Sequence, residues 1–94
     1  MPADQAGATS SARIDGALSF ARVPHWLAQA DSLAASGSLD LGAITRADSA
    51  GLALLLELTR RAQNSGKKLQ LRNPPAQLVE LSKFFGLDAL LRFS

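Results

Sequence analysis

The sequence predicts an α/β domain with a small, mostly parallel or mixed β-sheet and helices packed mainly on one face. Two observations carry this prediction. Short segments with period-two apolar alternation are separated by longer segments with helical spacing, and strands joined through helices pair in parallel. The strand segments also alternate apolar with polar residues and are not continuously apolar, which fits a sheet covered on one side only. The chain has 94 residues, 47% hydrophobic and 19% charged, enough for one domain with its own core and unlike a disordered composition.

Residues 1–8, MPADQAGA, have no periodicity and are expected to be a flexible N-terminus, at most a weak edge strand, before a single domain over 9–94. From Ser11, residues Ala12, Ile14, Leu18 and Phe20 alternate with Arg13, Asp15 and Ser19, predicting one strand or a bent pair around Gly16, with an early edge strand allowed to run antiparallel. In VPHWLAQADSLAASG, Pro24 suits a first helical turn. Leu27, Ala30, Leu33 and Ala34 follow at helical spacing and Gly37 supplies a stop. His25 and Trp26 fall on this helix, with Trp26 at the core edge.

Residues 38–44, SLDLGAI, form a second strand with Leu39 and Leu41 on one face, and TRADS is the turn after it. A helix runs from Ser49 to about Ser65 and ends at Gly66. Residues 67–73 form a third strand through Leu69 and Leu71. Asn73 is the expected cap of a last helix that opens with PPAQ, buries Leu78, Leu81 and Phe85, carries Phe84 at its edge and stops at Gly86. Residues 87–93 are read as a short helical turn capped by Asp88, with a strand as the alternative.

On a wheel of residues 52–65, Glu57, Arg60, Arg61 and Asn64 occupy an arc of roughly 100°, and the apolar residues fill about 200°. A helix lying on one sheet needs a stripe only a little over 100° wide. Leu54 and Leu56 mark the two edges of the excess. Either neighbouring helices cover both flanks, or one flank near the N-terminus stays open to another protein. Ser49 has two readings as well. It can be the N-cap, accepting from a first-turn N–H. It can also be a contact or switch residue, because a helix N-terminus favours a phosphate through its free N–H groups and dipole. Asp48 would repel such a phosphate, and Gly51 would leave the surrounding surface low.

Other chemistry has little support. With no cysteine there is no disulfide, thiolate site or Cys nucleophile. A single histidine, His25, lacks the companions a metal site needs. Ser49 in ADSAG lacks the first glycine of a nucleophile elbow and has no base nearby in sequence. Phosphate-loop glycines are absent, so no nucleotide cofactor is expected. A formal charge of +2 without a basic, aromatic-interleaved tract argues against nucleic acid, and Arg60–Arg61 and Lys67–Lys68 read as solvated face and strand-entry charges. The longest apolar run, Leu52–Leu56, is far short of the roughly 18 residues that would suggest a span, so no direct membrane insertion is expected.

LDLGAITRADSAGLALLL resembles the central motif of the STAS domain family: a strand, a short loop, Asp-Ser/Thr-x-Gly-Leu, then a helix. ARIDGALSFARV is similar to the family strand that ends Gly-Glu-Leu-Asp, with Ala17 and Ser19 in place of its acids. KKLQLRNPPAQLVELSKFFGLDALL is similar to its closing strand and helix. The resemblance covers about residues 8–92 and implies a non-catalytic, partner-binding domain. In anti-sigma-factor antagonists the motif serine is phosphorylated, and it maps onto Ser49, although their second hydroxyl residue is here Ala50. GLALLLEL and AQNSGKKLQL are closer to the MlaB-type members, whose motif threonine maps onto Ser49. Those are small cytoplasmic subunits of Mla-type phospholipid-transport ABC complexes, held at the inner membrane of Gram-negative bacteria through their partner. This likeness implies docking on the ATPase subunit, within a complex that includes a permease. Ser49 would be the central contact, Asp48, Ala50 and Gly51 its rim, Leu54 or Leu56 the apolar extension, and Arg46 and the Phe20–Arg22 turn its neighbours.

Overall fold

The computed structural model describes residues 12–94. The expectations for residues 1–8, and the start of the domain at 9–11, lie outside the described residues. Among the described residues, three strands form one sheet in the order β1-β2-β3: β1 (Ala12–Leu18), β2 (Ser38–Ala47) and β3 (Gln70–Arg72). Both pairings are parallel; the early edge strand expected to be free to run antiparallel lies outside the described residues. The helices are α1 (Val23–Leu27), α2 (Ala30–Ala35), α3 (Ser49–Asn64) and α4 (Ala76–Phe84), and a 3-10 turn (Phe20–Arg22) precedes α1. α3 packs on β1 and β2 and touches α1, α2 and α4.

One face of the sheet carries the core. Ile14, Leu18, Leu39, Leu41, Ile44 and Leu71 are buried, while Arg13, Gly42, Ala43, Arg46 and Arg72 are exposed. The core residues of β2 fall at 39, 41 and then 44, a break in period two. The pairing explains it: Arg13 faces Asp40 but Asp15 faces Ala43, so β2 has an extra residue there. A bulge of this kind shifts the phase of inward side chains. A second shift falls between Gly16 and Ala17, where Gly16 takes a φ of +74° that few other residues adopt without strain. β2 also runs to Ala47, so most of the predicted TRADS turn is strand, and the chain enters α3 through Asp48 alone.

The predicted helix from Pro24 to Gly37 is broken at Ala28–Gln29. The backbone N–H of Gln29 bonds to Trp26 O at 3.0 Å, and the His25 carbonyl accepts from the Gln29 side chain at 3.4 Å. Trp26 is buried, as expected, but Leu27 is 42% exposed. Phe20, expected on the strand's inner face, lies beyond β1 in the 3-10 turn and is 77% exposed.

α3 ends as expected at Gly66. Lys67 N bonds to Ala62 O at 2.8 Å and Gly66 N to Gln63 O at 2.9 Å, the paired bonds of a Schellman stop. β3 is shorter than the predicted 67–73, although Leu69 before it is fully buried. Asn73 does not cap α4. Its side chain donates to Asp40 Oδ1 at 3.2 Å, and Pro75 occupies the cap position. Phe85 follows the helix and is half-exposed, with Leu78 buried in the core. Residues 87–93 form neither a helix nor a full strand: a turn at 88–90, closed by Leu90 N to Leu87 O at 2.9 Å, leads to a parallel bridge between Phe93 and Leu71.

Candidate partner-docking site

The start of α3 sits where β1 and β2 end, because Asp48 is tied to both. Its N–H donates to Leu18 O at 3.2 Å. Its carboxylate accepts from Gly51 N through Oδ1 and from Phe20 N through Oδ2, both at 3.0 Å. One side chain therefore caps α3 and pins the 3-10 turn after β1. These two backbone donors hold the Asp48 carboxyl below the usual carboxylate range, the Phe20 N–H most strongly. Asp48 is thus the N-cap, in place of the cap reading of Ser49.

Ser49 is the first helical residue and is exposed. Among the described residues its hydroxyl makes no hydrogen bond. Gly51 does not form a low rim around it. It is buried, and a Cβ placed there would lie 2.1 Å from Leu18 O. Its role is to let α3 close against the last carbonyl of β1. The small residues that do open the surface are Ala50, half-buried, and Ala53, exposed.

Beside them runs an apolar groove of about 530 Å³ between α3 and the segment after β1. Phe20, Val23, Pro24 and Leu27 line one side, Ala50, Ala53 and Leu54 the other, and Glu57 its end. Leu54 is buried yet contributes to the wall. Glu57 accepts from Arg60 (3.0 and 2.6 Å) and from Arg61 (2.7 Å), and Arg61 also pairs with Asp31 at 3.1 Å. The two guanidinium groups, Arg60 first, lower the Glu57 carboxyl to about 2, so this end is charged but internally neutralised.

Arg46, exposed at the end of β2, lines a separate recess of about 320 Å³ with Ser19, Ala47, Asp48 and Gln77. Leu56 lies elsewhere. It is half-buried on the opposite flank of α3, beside Thr59, Gln63 and Leu90 in a recess of about 170 Å³. Arg46, Asp48, Ser49 and Ala50 thus gather at one end of α3, with Gly51 beneath and Leu54 in the adjoining groove; Leu56 does not join them. The Phe20–Arg22 turn does neighbour the site, as expected, although the strand pattern also turned Phe20 inward; Leu27, Val23, Pro24 and Ala53 were not expected as groove residues. FARVPHWL holds more apolar residues than one short helical face can bury, and that surplus was the available signal.

A family model described as "Mlab, STAS domain" matches residues 1–92. The chain belongs to the STAS family. The fold agrees. The STAS domain is similar to a solved anti-sigma factor antagonist, SpoIIAA in its unphosphorylated form, with a TM-score of 0.68 and 19% identity over 92% of this chain and 82% of that one. No curated protein matches the sequence. Among the described residues of the STAS domain, no helix is long and apolar enough to cross a membrane, and no three His, Cys, Asp or Glu side chains gather as a metal site would require.

Proposed function

We propose that this STAS domain is a non-catalytic subunit that docks on, and supports, the ATPase subunit of an Mla-type phospholipid-transport ABC complex. Its contact surface is Ser49 with Asp48, Ala50 and Arg46 around it, and the groove walled by Leu54. The observation that carries the reading is the open apolar groove directly beside an exposed motif serine, in a chain whose matching family model bears the MlaB description. An apolar groove on the surface of a small domain is a typical seat for a partner's side chains. On this reading the protein is cytoplasmic and reaches the inner membrane only through the ATPase and its permease. Coexpression with such an ATPase subunit tests it. Ser49→Arg should abolish copurification while the isolated domain keeps its circular dichroism spectrum. Undiminished copurification of that variant would remove the basis of the proposal.

A second reading is an anti-sigma-factor antagonist switched by phosphorylation of Ser49. Its support is the exposure of Ser49 at the first position of α3, where a phosphate meets the helix dipole. A kinase reaction followed by mass spectrometry separates the two. A phosphoryl group on Ser49 that abolishes binding to an anti-sigma factor favours this second reading; an unmodified chain that binds the ATPase favours the first.

A further inference from the structure

A stable interface takes about 800 Å² from each partner, some 20–30 residues a side. The groove beside Ser49 offers seats for one or two anchoring side chains, so a partner docked there must rest on adjoining surface as well. The Leu56 flank offers a smaller recess of about 170 Å³, lined in part by Leu90. Across the end of the sheet the surface continues. Asp48 and Ser19 lead from the groove into the recess lined by Arg46, Ala47 and Gln77. Ala47 and Gln77 also line a further recess of about 520 Å³, with Glu80, Leu81 and Phe84. Residues 77, 80, 81 and 84 form one helical stripe of α4, and Gln77 Oε1 anchors it to the sheet by accepting from Ala47 N at 3.3 Å.

This path has an exposed phenylalanine at each end. Phe84 is 81% exposed, more than Phe20, and the Phe85 ring meets it edge-on with centroids 5.2 Å apart. Aromatic side chains held in such positions are common anchors of interfaces. Between them, Arg46 makes no ion pair among the described residues, and both Asp48 oxygens already accept from backbone. Glu80 is exposed and likewise unpaired among the described residues.

We infer that the docking footprint crosses the end of the sheet onto α4, and that the partner presents two apolar seats, one for Phe20 and one for Phe84, with an acidic group opposite Arg46 and a basic group opposite Glu80. This rests on the docking reading above and extends it to a second helix. The Phe84 seat adds apolar burial, and the two charges set register and raise the association rate.

Calorimetric titration of the full chain against the ATPase subunit tests the extension, with Leu27→Glu reporting on the groove, Phe84→Glu, Arg46→Glu and Glu80→Lys on the path, and Leu90→Gln on the opposite flank. All five sites are exposed, and circular dichroism verifies each fold. Phe84→Glu should weaken binding at least about tenfold. The two charge reversals should weaken it by smaller factors that shrink with added salt, and Leu90→Gln should bind as the parent does. Loss of binding in Leu27→Glu but parental affinity in Phe84→Glu would overturn the extension and leave the docking reading standing. No binding by the parent, or parental affinity in Leu27→Glu, would overturn the docking reading itself. Self-association of the parent that Phe84→Glu abolishes, with ATPase affinity unchanged, would assign this face to a second copy and overturn the inference.

Discussion

Gly51→Ala should destabilise the domain, although the same change in an ordinary helix stabilises it by about 1 kcal/mol. An added Cβ would stand 2.1 Å from Leu18 O and 2.6 Å from Leu18 Cγ, against 3.4 Å for ordinary contact. The nearest atom is backbone at the end of a paired strand and cannot swing aside as a side-chain tip could. Restoring contact moves the first turn of α3 by the difference between 3.4 and 2.1 Å, about 1.3 Å. That shift strains the bonds from Asp48 N to Leu18 O (3.2 Å) and from Phe20 N to Asp48 Oδ2 (3.0 Å). Overpacking costs about 1–3 kcal/mol, and two weakened hydrogen bonds about 1 kcal/mol each. Offset by the gain in helix propensity, the net loss is about 2–4 kcal/mol, or roughly 10–30 °C in Tm for a domain of this size. Urea unfolding followed by Trp26 fluorescence and far-ultraviolet circular dichroism measures it. An unchanged or higher midpoint with an unchanged slope would refute the close approach of α3 to β1.

Asp48→Asn should cost about 1 kcal/mol, because the amide keeps one acceptor oxygen and replaces the other, so either Gly51 N or Phe20 N loses its partner, measured by the same unfolding assay across pH. Because the folded Asp48 carboxyl lies below its unfolded value of about 3.9, its contribution is complete above that value and disappears as pH falls through the folded one. The parent and variant curves should therefore converge in strong acid. Glu57 should titrate near 2 by carbon-detected NMR; its stabilising effect is present above about 4.5 and lost towards 2, and Arg60→Gln should move the midpoint back upwards. Leu54→Ala should cost about 2–4 kcal/mol, since the side chain is buried, whereas Leu27→Ala on the facing wall should cost well under that while still weakening partner binding. Ser49→Asp should leave the domain folded, with repulsion from Asp48 offsetting the helix-dipole gain of about 0.3–1 kcal/mol, so that the unfolding midpoint moves by less than that gain.

The alternation of Ile14 with Leu18 and of Leu39 with Leu41, and the helical spacing of residues 49–65, were enough to read the strand–helix order, the one-sided sheet and the stops at Gly66 and Gly86. Periodicity could not show the bulge that carries Ile44 to the inner face, because an extra residue in one strand depends on its pairing partner. Nor could it assign the cap. Asp48 and Ser49 are both good N-cap residues, and the choice is made by a distant donor, Phe20 N, 28 positions away. Gly51 looked like a surface feature because its neighbour Leu18 is remote in sequence. The over-wide apolar arc of α3 left both readings open, flanks covered by neighbouring helices or one flank free, and the position of the segment after β1 decides it: Leu54 is buried, yet a groove remains on its side. Phe20 and Leu27 were assigned inward because they continue apolar patterns that the structure breaks, at the end of β1 and at Gln29.

The central claim is that the groove beside Ser49 seats the ATPase subunit, and a photo-crosslinking residue placed at Ala53 tests it most directly. Ala53 is exposed on the groove wall, and Gln63, near the other end of the same helix, serves as the comparison site. Illumination of the coexpressed complex should yield an adduct with the ATPase subunit from position 53 and none from position 63. An adduct from position 63 alone would place the partner elsewhere on the domain and contradict the account.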